Sequence, residues 1–253
     1  MKKVIKGFFS VFGLQVGKMP PKAPESDSKF VYHNNEPLAW MQKFNFRAII
    51  DVGANEGQFA SKILRTFPTA KVYCFEPIKD VYLKLVENFK DNKNVIPYNC
   101  GLGEVNEEMQ ININEYSASS SMLEMLDLHR ENFDFAVKVA PQTISVRKLD
   151  EVLVDLPAEP TLLKIDVQGY EMYVLKGGEK IARRADLIII ETTFQPLYKG
   201  QPLFRDIYDW MLGAGFTYAG NMEQLLAPTD NQILQADAIF INNKHMGHLN
   251  EYR

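Results

Sequence analysis

Two periodicities alternate along most of this chain. Short apolar runs, of the kind that form buried strands, are followed by segments whose apolar residues recur every three or four positions. The first run, Ile49-Ile50-Asp51-Val52, enters a turn containing Gly53 and Gly57. Phe59, Ile63, Leu64 and Phe67 then mark one face of a helix that Pro68 stops. Lys71 to Phe75 is a second run, and Tyr82, Leu85, Val86 and Phe89 repeat at helical spacing after it. Asn94 to Cys100 reads as a third strand, with Gly101-Leu102-Gly103 as its terminal turn.

Farther on, Met109 to Asn114 alternates cleanly and predicts a half-exposed strand, and Thr143 to Val146 predicts another. Leu162 to Val167 is nearly continuous in apolar character, as buried parallel strands are, and a helix is expected over 170–181. Ala185 to Ile190 repeats that buried-strand pattern. Phe204, Ile207, Tyr208, Met211 and Leu212 form an amphipathic helix closed by Gly213 and Gly215. Tyr218 to Leu226 and Ala236 to Ile241 read as a final antiparallel pair. The whole is a doubly wound α/β domain with a mostly parallel sheet and helices on both faces.

The organisation follows from where this pattern starts and stops. Residues 1–44 are an N-terminal helical extension and linker, 45–243 the α/β domain, and 244–253 a polar tail. Within the extension, Val4, Ile5, Phe8, Phe9 and Phe12 make an amphipathic face opposed by lysines. Such a helix docks on its own domain, on a second copy of the chain, or peripherally on an anionic membrane. Leu38, Trp40, Met41 and Phe44 predict a short helix beside the first strand.

Composition narrows the partners. The chain has 253 residues, 46% of them hydrophobic, and a formal net charge of −4, which weighs against a nucleic-acid backbone. Cys74 and Cys100 lie within strand-like runs, which suggests reduced buried thiols and a cytoplasmic setting. No cluster of Cys and His suggests a metal. No apolar run approaches the roughly 18 residues of a membrane span.

The chemistry concentrates at the first turn. Gly53 and Gly57 let the backbone approach a ligand closely, and the following helix aims its free N–H groups at the same spot. Glu76 stands at the end of the second strand, where a carboxylate accepts hydrogen bonds from both ribose hydroxyls. A dinucleotide site reads G-x-G-x-x-G, whereas this turn reads Asp51-x-Gly53-x-x-x-Gly57 with Glu56 inside it. Two acids there would repel a pyrophosphate and suit a ligand with a cationic amino-acid end, such as S-adenosylmethionine.

Asp-Val-Gly-Ala-Asn-x-Gly at 51–57, Phe75-Glu76-Pro77, the serines from Ser117 to Ser121, and Leu163-Lys164-Ile165-Asp166-Val167-Gln168-Gly169-Tyr170-Glu171 occur in one order, with Leu175-Lys176-Gly177 following. Together they resemble the FkbM family of S-adenosylmethionine-dependent methyltransferases over residues 45 to 243. The resemblance implies a Rossmann-like class I methyltransferase fold with a seven-stranded sheet, and O-methylation of a sugar, a glycosylated molecule or a secondary metabolite. It assigns cofactor binding to Asp51, Gly53, Asn55, Gly57, Glu76, Pro77, Ser120, Ser121 and Asp166. By analogy within the fold class, Gly101 and Leu102 border the adenine. One departure stands out: Gln168 occupies a position where the family commonly has Glu.

Transfer to a hydroxyl requires somewhere for its proton to go. Asp166 and Glu191, each read as ending a buried strand, are the candidate base or substrate orienter, with His129 behind them. Glu171 is expected in the first turn of its helix, where the dipole favours an acid. Residues 116–140 and Phe194, Gln195 and Tyr198 are expected to choose a small-molecule or carbohydrate acceptor. Two other readings stay open: a nicotinamide-dependent oxidoreductase on a related sheet, and a catalytically silent nucleoside-binding scaffold.

Overall fold

The computed structural model describes residues 38–114 and 139–245. Ten strands and their helices alternate along it. Strands β1 (Ala48–Val52), β2 (Lys71–Phe75), β3 (Val95–Tyr98), β7 (Thr161–Ile165) and β8 (Leu187–Thr193) are parallel neighbours, and β9 (Phe216–Leu226) and β10 (Ile233–Asn242) complete the sheet. The order across this seven-stranded sheet is β3-β2-β1-β7-β8-β10-β9. Only β10 runs antiparallel to its neighbours, as the terminal pair predicted.

Successive strand residues face opposite sides, and both sides are covered. Ile50, Phe75, Leu163, Ile188 and Phe240 join one core, and Ile49, Val72, Leu162, Ile189 and Ile239 the other. That double burial is why the strands read as continuous apolar runs rather than alternating ones. The helix α1 (Gln58–Thr66) follows β1, with Ala60 and Ile63 in the second core; α2 (Lys79–Asn88) follows β2 and adds Leu85 to it. Leu38, Met41 and Phe44, from a 3-10 helix over Ala39–Phe44, pack there too.

Two expectations are corrected here. Gly101–Leu102 is not a turn but strand β4, which pairs in parallel with β6 (Val139–Arg147); β6 also pairs antiparallel with β5 (Glu107–Asn114). These strands form a separate three-stranded sheet beside the seven-stranded one. The single helix expected over 170–181 is two, α4 (Glu171–Gly177) and α5 (Glu179–Arg184), following the short α3 (Leu149–Val152). Gly177 and Gly178 make the break. A Cβ on Gly177 would overlap the carbonyl oxygen of Gly103, and one on Gly178 would press on Leu149. Close approach, not conformational freedom, demands glycine at both. The last α-helix among the described residues, α6, spans Phe204–Gly213.

Candidate functional site

A cavity of about 400 Å³ opens along the ends of β1, β2 and β7 and runs beneath α1 toward β9. Its wall takes in Gly53, Ala54 and Asn55 from the first turn, Glu76, Pro77 and Ile78 after β2, and Cys100, Gly101 and Leu102. Lys164, Asp166 and Gln168 come from β7 and the loop beyond it, and Lys62, Met222, Glu223 and Asp237 from α1, β9 and β10.

The first turn is built tightly. Gly53, Asn55 and Gly57 all have positive φ, at 79°, 50° and 92°. Packing requires glycine at both positions, and Gly53 also stands on the cavity wall. A Cβ on Gly53 would overlap the backbone oxygen of Asp166, and one on Gly57 would strike Phe89. Neither Gly57 nor Asp51 belongs to the cavity wall. Glu56 is also displaced from its expected place: its carboxylate turns to Lys84 Nζ at 2.8 Å, away from the cavity. The acids on the cavity wall near this turn are Glu76 and Asp166 instead.

Glu76 is nearly fully buried, and both its oxygens are engaged by backbone. Oε2 accepts the N–H of Asn55 at 3.1 Å, and Oε1 that of Ile78 at 2.8 Å. Burial pushes its carboxyl up to about 7 despite those two N–H donors. Asn55 Oδ1, on the same wall, is a buried acceptor with no partner among the described residues. A wall with an unsatisfied acceptor beside a buried carboxylate suits a ligand that brings donors, whether hydroxyl or ammonium.

Behind this wall lies a chain of charge on the second sheet face. Asp51 and Lys164 are register partners on β1 and β7. Asp51 has no exposure and, among the described residues, no hydrogen bond to either carboxylate oxygen, and burial pushes it up to about 6 against the pull of Lys164. Lys164 Nζ sits 3.0 Å from Asp166 Oδ2 and 5.5 Å above the Phe59 ring. Burial works against its charge, but Asp166, Asp51 and Asp237 outweigh burial and hold the ammonium above its ordinary range.

The loop after β7 is organised by side chains. Glu171, 3% exposed, accepts the N–H groups of Val167 at 3.2 Å and Gly169 at 3.0 Å. It is therefore a loop clamp as well as an acid in the first turn of a helix. Removal from water pushes it up to about 7. Gln168, at φ 55°, donates through Nε2 to Asp166 Oδ1 (3.1 Å) and to Glu191 Oε2 (2.9 Å). Tyr198 donates its hydroxyl to Gln168 Oε1 at 3.3 Å.

Glu191 corrects an expectation. It lies inside β8, opposite Asp237 of β10, rather than at the strand end, and it does not line the cavity. Removal from water, then Asp166, Glu171 and Asp237, push its carboxyl well above the usual range. Phe194, Gln195 and Tyr198 likewise stay off the wall. Ser120, Ser121, His129 and the N-terminal amphipathic helix lie outside the described residues. Sequence reasoning passed over Lys164, Lys62, Met222, Glu223 and Asp237. Only Lys164 carried a signal, as a lysine within a run otherwise buried. Among the described residues, no group of His, Cys, Asp and Glu could hold a metal ion, and no helix is long and apolar enough to cross a membrane.

Comparison with known proteins meets this geometry. Residues 51–218 match the Methyltransferase FkbM domain, and the chain belongs to that family. It is 26% identical over 169 residues to the 2-O-methyltransferase NoeI of Sinorhizobium fredii, covering 64% of this chain and 69% of that one. It is 30% identical over 142 residues to the hexuronic acid methyltransferase AglP of Haloferax volcanii, covering 56% and 54%. The fold resembles the crystal structure of Methyltransferase FkbM from Methylobacillus flagellatus, with a TM-score of 0.50 at 16% identity, over 78% of this chain and 44% of that one. The chain thus spans little more than half the length of some relatives it matches, and its fold is that of a class I methyltransferase.

Proposed function

We propose that this chain is an S-adenosylmethionine-dependent O-methyltransferase that acts on a hydroxyl of a sugar or a glycosylated small molecule. The observation that carries the reading is the Asn55–Glu76 pair. One backbone N–H holds Glu76 at the cavity wall, while Asn55 Oδ1 beside it still lacks a donor. Vicinal ribose hydroxyls satisfy the first, and an ammonium group suits the second. Ile78, Gly101 and Leu102 offer a mostly apolar wall for a base next to Glu76. When bound, the cofactor supplies an electrophilic methyl on a sulfonium.

The chain's own residues would then position and deprotonate. Asp166 faces the cavity with one oxygen on Lys164 and the other on Gln168, a fixed geometry that suits orienting a donor group. Glu191, off the wall, would act only through Gln168. One relative's name specifies 2-O-methyl transfer, which supports oxygen as the accepting atom, and another's specifies a hexuronic acid, which supports a sugar as the class of acceptor. Buried, unbridged Cys74 and Cys100 fit a cytoplasmic setting.

Calorimetric titration with S-adenosylhomocysteine, with NAD as the parallel control, tests the reading. Micromolar binding of the first and none of the second is expected. Binding of NAD alone would replace it with the oxidoreductase reading, and silence from both would favour a scaffold.

A further inference from the structure

The cavity does not end where a nucleoside would. Beyond Lys164 it continues beneath α1, walled by Phe59, Lys62, Ile189, Met222, Glu223 and Asp237. Lys62 Nζ reaches across to Glu223 Oε1 at 2.6 Å, tying α1 to the edge strand β9 and closing the lobe on that side. We infer that this far lobe holds the methyl acceptor, a neutral sugar, and that the Asp237 carboxylate accepts a hydrogen bond from one of its hydroxyls. The inference rests on the methyltransferase reading above and adds the acceptor's place and charge.

Each wall contributes to the argument. Asp237 lines the cavity, yet no hydrogen bond or ion pair reaches its carboxylate among the described residues. Burial pushes it up to about 6, ahead of the opposing influence of Lys164, which makes it a better proton acceptor than an ordinary aspartate. Lys62 and Glu223 neutralise each other, and Lys164 is already held by Asp166. The lobe is left with one uncompensated negative charge. That charge attracts hydroxyl donors and repels a carboxylate-bearing sugar. Phe59, Ile189 and Met222 supply apolar surface for the C–H face of a ring.

The stretch shared with the family ends at residue 218, so Met222, Glu223 and Asp237 lie beyond it. Donor-side residues Asn55, Glu76 and Asp166 fall inside it. Phe59, Lys62 and Ile189 of the lobe also fall inside it, so the lobe joins shared residues to residues beyond the shared segment.

The test uses the full chain and the variants Asp237→Asn and Met222→Trp, the second of which fills the lobe. Calorimetry measures S-adenosylhomocysteine binding. Saturation-transfer NMR on that complex measures binding of the methyl glycosides of glucose, galactose, mannose and fucose, with methyl glucuronide as the charged probe. S-adenosylhomocysteine affinity should stay within about twofold in both variants, since the lobe lies outside the donor's share of the cavity. At least one neutral glycoside should bind wild type more tightly than the glucuronide, and Asp237→Asn should weaken it about fivefold or more. Loss of S-adenosylhomocysteine affinity in a folded variant would show that the lobe houses the donor's tail and overturn the inference. So would binding of none of the neutral glycosides, or binding indifferent to Asp237→Asn. Failure of wild type to bind S-adenosylhomocysteine would instead sink the underlying reading.

Discussion

The side-chain amide of Gln168 donates to Glu191 Oε2 at 2.9 Å. The same nitrogen also reaches Asp166 Oδ1, so one neutral group stands between two carboxylates that would otherwise face each other. The departure from the family's usual Glu is therefore not a vacancy. An amide offers two N–H donors where a third carboxylate would offer none.

Gln168→Glu should destabilise the fold by roughly 3 kcal/mol at pH 8, because two hydrogen bonds to carboxylates become repulsions. The loss should shrink as pH falls and the acids protonate. Urea denaturation at pH 5 and pH 8 checks both points. A pH-independent effect would show that the amide serves packing rather than charge.

Burial raises Asp51, Glu76, Glu171 and Asp237 to about 6, 7, 7 and 6, each above its ordinary value. A raised carboxyl contributes stability that is fully present below its unfolded pKa near 4 and is lost as pH rises through the folded one. These groups should therefore make the denaturation midpoint fall between about pH 4 and 7 and level off above. Glu171→Gln keeps an oxygen for the Val167 and Gly169 N–H groups while removing the titration. It should flatten that slope, and an unchanged slope would show that Glu171 ionises as it does in water.

Glycine positions separate by what surrounds them. Gly177→Ala should cost about 3 kcal/mol or more, since its Cβ meets the backbone of Gly103 rather than a movable side chain. Gly213→Ala, in open space at the end of α6, should be neutral or stabilise by up to about 1 kcal/mol. Thermal melting of the two variants checks the contrast; equal effects would contradict the packing described.

Most of the architecture was legible because both sheet faces are buried. Runs such as Ile49–Val52 and Leu162–Ile165 then announce strands by composition alone, and Glu76 announces its own position by following one. What was not legible depends on direction and on distant pairing. Glu56 lies in the right turn, but Lys84, 28 positions on, turns its carboxylate outward. Glu191 reads as a strand end because its apolar run stops there, while pairing with β10 carries the strand on to Thr193. Glu223 sits on the largely exposed strand β9, where an acid is ordinary, and Asp237 on the mostly buried β10, whose partner strands are set by distant pairing; both reach the cavity where Lys62 of α1 ties to β9.

The central claim is that the Glu76 carboxylate marks the nucleoside end of a donor site, and titration of Glu76→Ala with S-adenosylhomocysteine tests it most directly. Wild type should bind in the micromolar range, and the variant, its fold verified by circular dichroism, should bind about tenfold or more weakly. Unchanged affinity in a folded variant would contradict the account, because the carboxylate would then serve only the N–H groups of Asn55 and Ile78.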